Sequence, residues 1–123
     1  MITNDKPSNQ QIAEAFSNGN FKLAYPFFAE KIEWHIIGEN SFIGKKSVIE
    51  NCEQTSAYFK SVTTEFTTFN VLVDSNRIAI NGNAVFTRND ERLSNISACD
   101  VYEFNDDNEL QIINSYCITN KLD

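Results

Sequence analysis

Apolar positions along this chain follow two periods, and the change from one to the other comes near residue 62. Before it, the spacing is mostly helical. Ile12, Ala13, Ala15 and Phe16 share one face behind Pro7-Ser8-Asn9-Gln10-Gln11, where Ser8 and Gln11 make an S-x-x-Q capping box. A first helix is expected from Ser8, with Asn18-Gly19 as its left-handed stop. Asn20 can cap a second helix through Phe28, turning Leu23, Ala24, Phe27 and Phe28 inward, with a distortion at Pro26, which has no backbone donor. The β-rich run Ile32 to Ile37 predicts a short strand, followed by a turn at Gly38-Glu39-Asn40-Ser41 and by Phe42-Ile43-Gly44. From Lys45 to about Lys60, Val48, Ile49, Cys52, Ser56 and Phe59 form one stripe, which predicts a third helix.

Beyond that point the period is two. Four long strands are expected over Thr63 to Asp74, Arg77 to Arg88, Leu93 to Asn105 and Glu109 to Thr119. Ser75-Asn76, Asn89-Asp90-Glu91-Arg92 and Asp106-Asp107-Asn108 supply hairpin turns, so the sheet should be antiparallel and meander. Strands this long must curl, and Gly82 is the natural place for a bend or bulge. In Arg77 to Arg88 the side chains of Ile78, Ile80, Ala84 and Phe86 alternate with a mixed set, so one face should meet the helices. In Thr63 to Asp74 apolar groups fall on both faces, Phe66 and Leu72 on one and Phe69, Val71 and Val73 on the other, which favours an oligomer.

The chain has 123 residues, enough for one domain with a real core, and no repeat or low-complexity segment divides it. No apolar run approaches the roughly 18 residues of a membrane span. The segment Met1 to Pro7 lacks the basic and apolar parts of a secretory signal, so a cytoplasmic location is the expectation. A formal net charge of −7, with basic residues in no stripe, argues against nucleic acid and anionic membrane as partners. Cys52, Cys99 and Cys117 have no metal-ligand spacing and read as small reduced hydrophobes. No phosphate loop, nucleophile elbow or metal-ligand cluster is present, so neither a cofactor nor a metal is expected.

Two polar residues interrupt apolar strands: His35, the only histidine, and Asp100. A titratable group there is either a hydrogen-bonded core position or part of a pocket. Histidine suits proton transfer near neutrality. A buried Asp100 either stays protonated and donates a hydrogen bond, or ionises beside a charged partner. The bland alternatives are a core histidine held by one bond, and an aspartate satisfied by backbone, Asn114 or Tyr116. Glu33 shares parity with His35, as an exposed rim charge or an orienting partner. Trp34 takes the opposite parity and should pack on a helix. The last turn decides whether Ser115 or Asn114 faces Asp100, and a two-residue turn at Asp107-Asn108 would select Ser115. Phe16, Phe28, Tyr58, Phe86 and Tyr102 are the aromatic candidates for a ligand wall, although each is also a core residue by type.

The order helix, helix, short strand, helix, four long strands resembles the nuclear transport factor 2-like superfamily, in its SnoaL-like and ketosteroid-isomerase-like branch. Asn18-Gly19-Asn20-Phe21, Phe28-Ala29-Glu30-Lys31-Ile32-Glu33-Trp34-His35, Phe42-Ile43-Gly44-Lys45 and Asp100-Val101-Tyr102-Glu103-Phe104-Asn105-Asp106 carry the resemblance, which runs from about Gln11 to Thr119. It implies an α+β, cystatin-like cone, with three N-terminal helices packed on a curved, mainly antiparallel sheet, and the apolar groups on both faces of Thr63 to Asp74 make a homodimer of such cones the expectation. It also implies a pocket for a small, mostly apolar molecule and cofactor-independent isomerase, cyclase or hydratase chemistry. A non-catalytic binding or interaction module is the alternative. In ketosteroid isomerases a carboxylate base stands on the first strand, where His35 falls here, and a protonated aspartate that serves the oxyanion stands where Asp100 falls. Both are therefore expected to point into one cone as the catalytic pair, with Phe16, Phe28, Tyr58, Phe86, Tyr102 and Ser115 around the ligand. The oxyanion tyrosine of those enzymes is replaced by Ile12, which speaks against steroid isomerisation.

Overall fold

Ser8 opens α1 (Asn9–Ser17) as its side chain predicts. Its hydroxyl accepts from the Gln11 amide at 3.1 Å, while the Gln11 side chain accepts from the Ser8 amide at 2.8 Å. This computed structural model describes residues 6–122; Met1 to Asp5, most of the stretch read for targeting, lie outside the described residues. Gly19, at φ 82°, reverses the chain after α1.

The second helix is shorter than its pattern suggests. α2 (Phe21–Ala24) passes into a single 3-10 turn at Tyr25–Phe27, and β1 (Phe28–Ile36) begins where the helix was expected to end. Pro26 accounts for the difference, because it removes the hydrogen bond that would carry the helix forward and fits the tighter first turn instead. Phe21 and Ala24 are buried, and Leu23 is exposed. β2 (Asn40–Ile43) forms a hairpin with β1. α3 (Lys45–Ser61) follows, burying Val48 and Cys52 from the predicted stripe.

β3 (Thr63–Asp74), β4 (Arg77–Arg88), β5 (Glu91–Phe104) and β6 (Leu110–Thr119) complete a six-stranded sheet of order β2-β1-β6-β5-β4-β3. Every neighbouring pair is antiparallel except β1 and β6. α1 packs on β4 and β5, and α3 on β1, β2 and β3, so the helices cover one face. The result is an α+β fold of three helices on a curved, mainly antiparallel sheet. Among the described residues no helix is long and apolar enough to cross a membrane.

The bend falls at Gly82, but the extra residue belongs to the neighbouring strand. The β3–β4 register shifts between Thr68 and Asn70, leaving Phe69 as a bulge beside Gly82. A Cβ on Gly82 would stand 2.3 Å from the Thr67 carbonyl oxygen, so only glycine lets the two backbones close there. The bulge also explains the doubled apolar pattern of β3. Phe66 lies on the helix side before it; after it Val71 and Val73, paired with Ile80 and Ile78, take that side and Leu72 turns outward.

Candidate functional site

The inward face of the sheet is set by Ile78 and Ile80 on β4, Tyr102 on β5, Ile113 on β6 and Trp34 on β1, all buried. Strand pairing carries Asp100 onto the same face, between Ile80 and Ser115, and Ser115 in turn pairs with Ile36. The Ser115 register arises otherwise than the two-residue turn suggests. Asn105 to Glu109 form a five-residue connection, and a bulge between Glu103 and Phe104 restores the parity.

Asp100 closes one end of a cavity of about 200 Å³ that opens between the C-terminal end of α1, α3 and the sheet. Its walls are the side chains of Phe16, Phe21, Trp34, Phe59, Phe66 and Ile36, with Thr55, Ser17, Ser115 and Cys117 as the other polar members. The rings hold one another at steep angles: Phe16 and Trp34 have centroids 5.1 Å apart at 83°, and Phe59 and Phe66 5.3 Å apart at 71°. A smaller space of about 60 Å³, bounded by Gly82, Thr67 and Asn83, also touches Asp100 and Ser17.

Hydroxyl groups organise the carboxyl. Ser17 Oγ donates to Asp100 Oδ2 at 2.8 Å, and Ser17 Oγ and Tyr102 Oη are 2.5 Å apart. The single proton of Ser17 goes to Asp100, so Tyr102 donates to Ser17. On the other side Trp34 Nε1 donates to Ser115 Oγ at 3.0 Å, which leaves the Ser115 proton for Asp100. Burial raises the Asp100 pKa above the ordinary carboxylate range, and the hydroxyls of Ser115, Ser17 and Tyr102 pull it partly back. Tyr102 is raised too, by burial and then by the carboxyl beside it. The Cys117 thiol is pushed up to about 11, chiefly by burial and then by Asp100, and stays protonated.

His35 does not join this group. Its β1 neighbour Trp34 takes the inward position, so His35 points to the opposite side of the sheet, in the row with Asn114 and Val101. There its Nε2 lies 2.8 Å from Glu33 Oε1 and its Nδ1 2.7 Å from Ser41 Oγ. Glu33 fits both of its readings, since its side chain is 43% exposed and also orients the His35 ring. The expectation of His35 and Asp100 in one space is corrected: the parallel β1–β6 register puts them on opposite faces. A shallow groove at the β1–β2 turn, about 370 Å³, runs beside His35.

Phe16 and Ser115 stand at the cavity, and Tyr102 reaches it through Ser17. Phe28 is a correction, since it is buried at the start of β1 against Phe16 and Tyr25, away from the opening. Tyr58 is another, being 45% exposed on α3. Phe86 is buried behind the wall, stacked on Phe59 at 5.5 Å. Ile12, at the position of the missing tyrosine, is fully buried in the core. Sequence reading missed Ser17, Phe21, Trp34, Phe59 and Phe66 as wall residues. A signal existed for Ser17: it lies four residues after Ala13 on the buried stripe of α1, where a polar side chain needs a partner.

No family model and no curated protein matches the chain. Among solved structures, an LEH-like epoxide hydrolase from M. tuberculosis is similar at TM-score 0.66 and 14% identity, over 89% of this chain and 82% of that one. A candidate SnoaL-like polyketide cyclase from Shewanella denitrificans OS-217 is similar at TM-score 0.69 and 12% identity, over 89% and 90%. At those identities they share the fold alone. An NTF2-like protein of unknown function from Cytophaga hutchinsonii ATCC 33406 is similar at TM-score 0.79 and 34% identity, over 87% of this chain and 93% of that one. That identity, over nearly the whole of the other chain, carries more than the cone alone, and this chain belongs to the NTF2-like family.

Proposed function

We propose that the chain binds a small, mostly apolar organic molecule in the cavity between α1, α3 and the sheet, with Asp100 as its polar anchor. One observation carries this reading: a space walled by aromatic side chains ends on a single buried carboxyl held by hydroxyl groups. Apolar walls with few placed polar groups are the usual make-up of a small-molecule site, and about 200 Å³ is below the usual ~300–1,000 Å³. A one-ring ligand is the right scale. Trp34, the only tryptophan, lines the space and reports occupancy. Ethylbenzene should change Trp34 emission saturably, and Thr55→Phe, which fills the α3 side, should weaken that binding at least tenfold while the circular dichroism spectrum stays native. A linear, unsaturable response in the native protein would remove the site.

Acid–base turnover at Asp100 is a second reading, favoured by the Tyr102 to Ser17 to Asp100 chain of hydroxyls. An ionised Asp100 can take a proton from a carbon next to a carbonyl and return it to a second carbon of the same molecule, with no cofactor and no change of oxidation state. Two fold neighbours are described as an epoxide hydrolase and a candidate polyketide cyclase, so this scaffold does host reactions in other proteins. His35, on the other face, has no part in it.

Two copies pairing through the outer face of the sheet would cover the apolar groups left there, and we include a homodimer in the proposal. Leu72 and Ile118 are 67% and 66% exposed on that face, and Tyr116 is also exposed. Light scattering at micromolar concentration should give twice the chain mass for the native protein, and the chain mass for Ile118→Lys with Leu72→Lys. A native monomer refutes it. Three free cysteines suit a reducing, cytoplasmic setting.

A further inference from the structure

Asp100 lacks the partner that a buried carboxylate usually has. Among the described residues no lysine, arginine or histidine lines the cavity, and Asp100 is the only acidic side chain there. Two hydroxyl protons point at the carboxyl, from Ser17 and Ser115, and donors aimed at a carboxyl favour its ionised form. Hydroxyl groups alone do not neutralise a charge in an apolar space.

The walls around that carboxyl are suited to the missing charge. Five π systems, Phe16, Phe21, Trp34, Phe59 and Phe66, line the space that Asp100 closes, and a ring face attracts a cation within ~6 Å of its centroid. An anionic ligand would meet Asp100 with nothing to offset the repulsion. A neutral ligand would leave an ionised Asp100 in the apolar space with no counter-charge. The chain's net charge of −7 adds a long-range attraction for cations.

We propose that the cavity takes a small organic ammonium, a protonated amine seated on Asp100 and enclosed by the rings of Phe16, Phe21, Trp34, Phe59 and Phe66. The inference rests on the cavity being a ligand site and names the class of ligand. No covalent step is involved. Binding replaces the proton of any neutral Asp100 by the ligand's charge, so protons are released over the range in which Asp100 titrates in the free protein. The other titratable groups near Asp100 are Tyr102 and Cys99 on its own strand and Cys117 on β6, all shifted upward. α1 presents Ser17 there, α3 presents Thr55 and Phe59, and β4 presents Ile80, none of them charged. Asp100 alone therefore sets the pH response at and below neutrality.

Benzylamine, charged at neutral pH, and ethylbenzene, of nearly the same shape and neutral, separate this inference from the reading beneath it. Dissociation constants would be measured by calorimetry and Trp34 emission from pH 5 to 8. Benzylammonium should bind at least tenfold more tightly than ethylbenzene at pH 7.5, and its affinity should rise with pH through the Asp100 titration, while that of ethylbenzene stays level. In Asp100→Asn the ratio should fall to one or below. Ethylbenzene binding as tightly as benzylammonium overturns the ammonium inference and leaves the apolar site standing. Binding of neither overturns both. A benzylammonium preference that survives Asp100→Asn places the cation elsewhere and overturns the inference. The pH direction is read on the native protein, so the test does not depend on the variant folding.

Discussion

Gly82→Ala is expected to destabilise the protein by about 2–3 kcal/mol, within the range for backbone and overpacking lesions. The added Cβ would stand 2.3 Å from the Thr67 carbonyl oxygen, which is a backbone atom and cannot rotate away as a side chain would. β3 and β4 would have to part at the Phe69 bulge, where the sheet curves around the cavity. Phe66, two residues before the Thr68 that pairs with Gly82, would move with β3, so ligand affinity should fall with stability. Urea unfolding of the two proteins side by side measures this. An unchanged midpoint would show that β3 accommodates a side chain at this position and that the bend does not depend on glycine.

Asp100→Asn should melt higher than the native protein at pH 7. The sign follows from proton linkage. Asp100 has a higher pKa folded than unfolded, so between the two values the folded protein holds more protons, and its stability falls as pH rises through that window. Above the folded pKa the cost is fully present; below the unfolded pKa it vanishes. Asparagine keeps the shape and removes the charge. The expected gain at pH 7 is on the order of 1 kcal/mol, or about 4 °C for a chain of this size, shrinking towards pH 4. Melting temperatures at several pH values check this. A variant less stable than the native protein at pH 7 would mean that the Ser17, Ser115 and Tyr102 hydroxyls more than offset the burial of the charge. The same variant should abolish any incorporation of solvent deuterium next to the carbonyl of cyclohexanone, the simplest sign of proton transfer at Asp100.

These two sites differ in how far the sequence exposes them. Gly82 is visible as an isolated glycine in a long alternating strand, a recognised mark of a bend. Its role in admitting the Thr67 carbonyl is not visible, because the bulge sits in the other strand. Asp100 is conspicuous as an acid on an apolar strand, yet its donors come from α1 and β6, 83 residues before it in one case.

Local physics settles much of this molecule. The Ser8–Gln11 box starts α1, and period-two alternation with turn residues makes the four long strands. These depend on neighbours a few residues apart, so they can be read along the chain. Which face a residue takes relative to a distant strand is another matter. His35 and Asp100 sit on different faces because β1 joins the sheet beside β6 in parallel, with Trp34 rather than His35 turned to the core. Strand alternation gives parity within one strand only; the parity between strands is set by register, and register is decided by turns, bulges and the packing of the core together. For this protein the sequence by itself determined most of the elements and the presence of an odd acid on an apolar strand. Only the tertiary structure decided that Asp100 faces aromatic walls and hydroxyl groups with no charged partner among the described residues, and that His35 lies outside them.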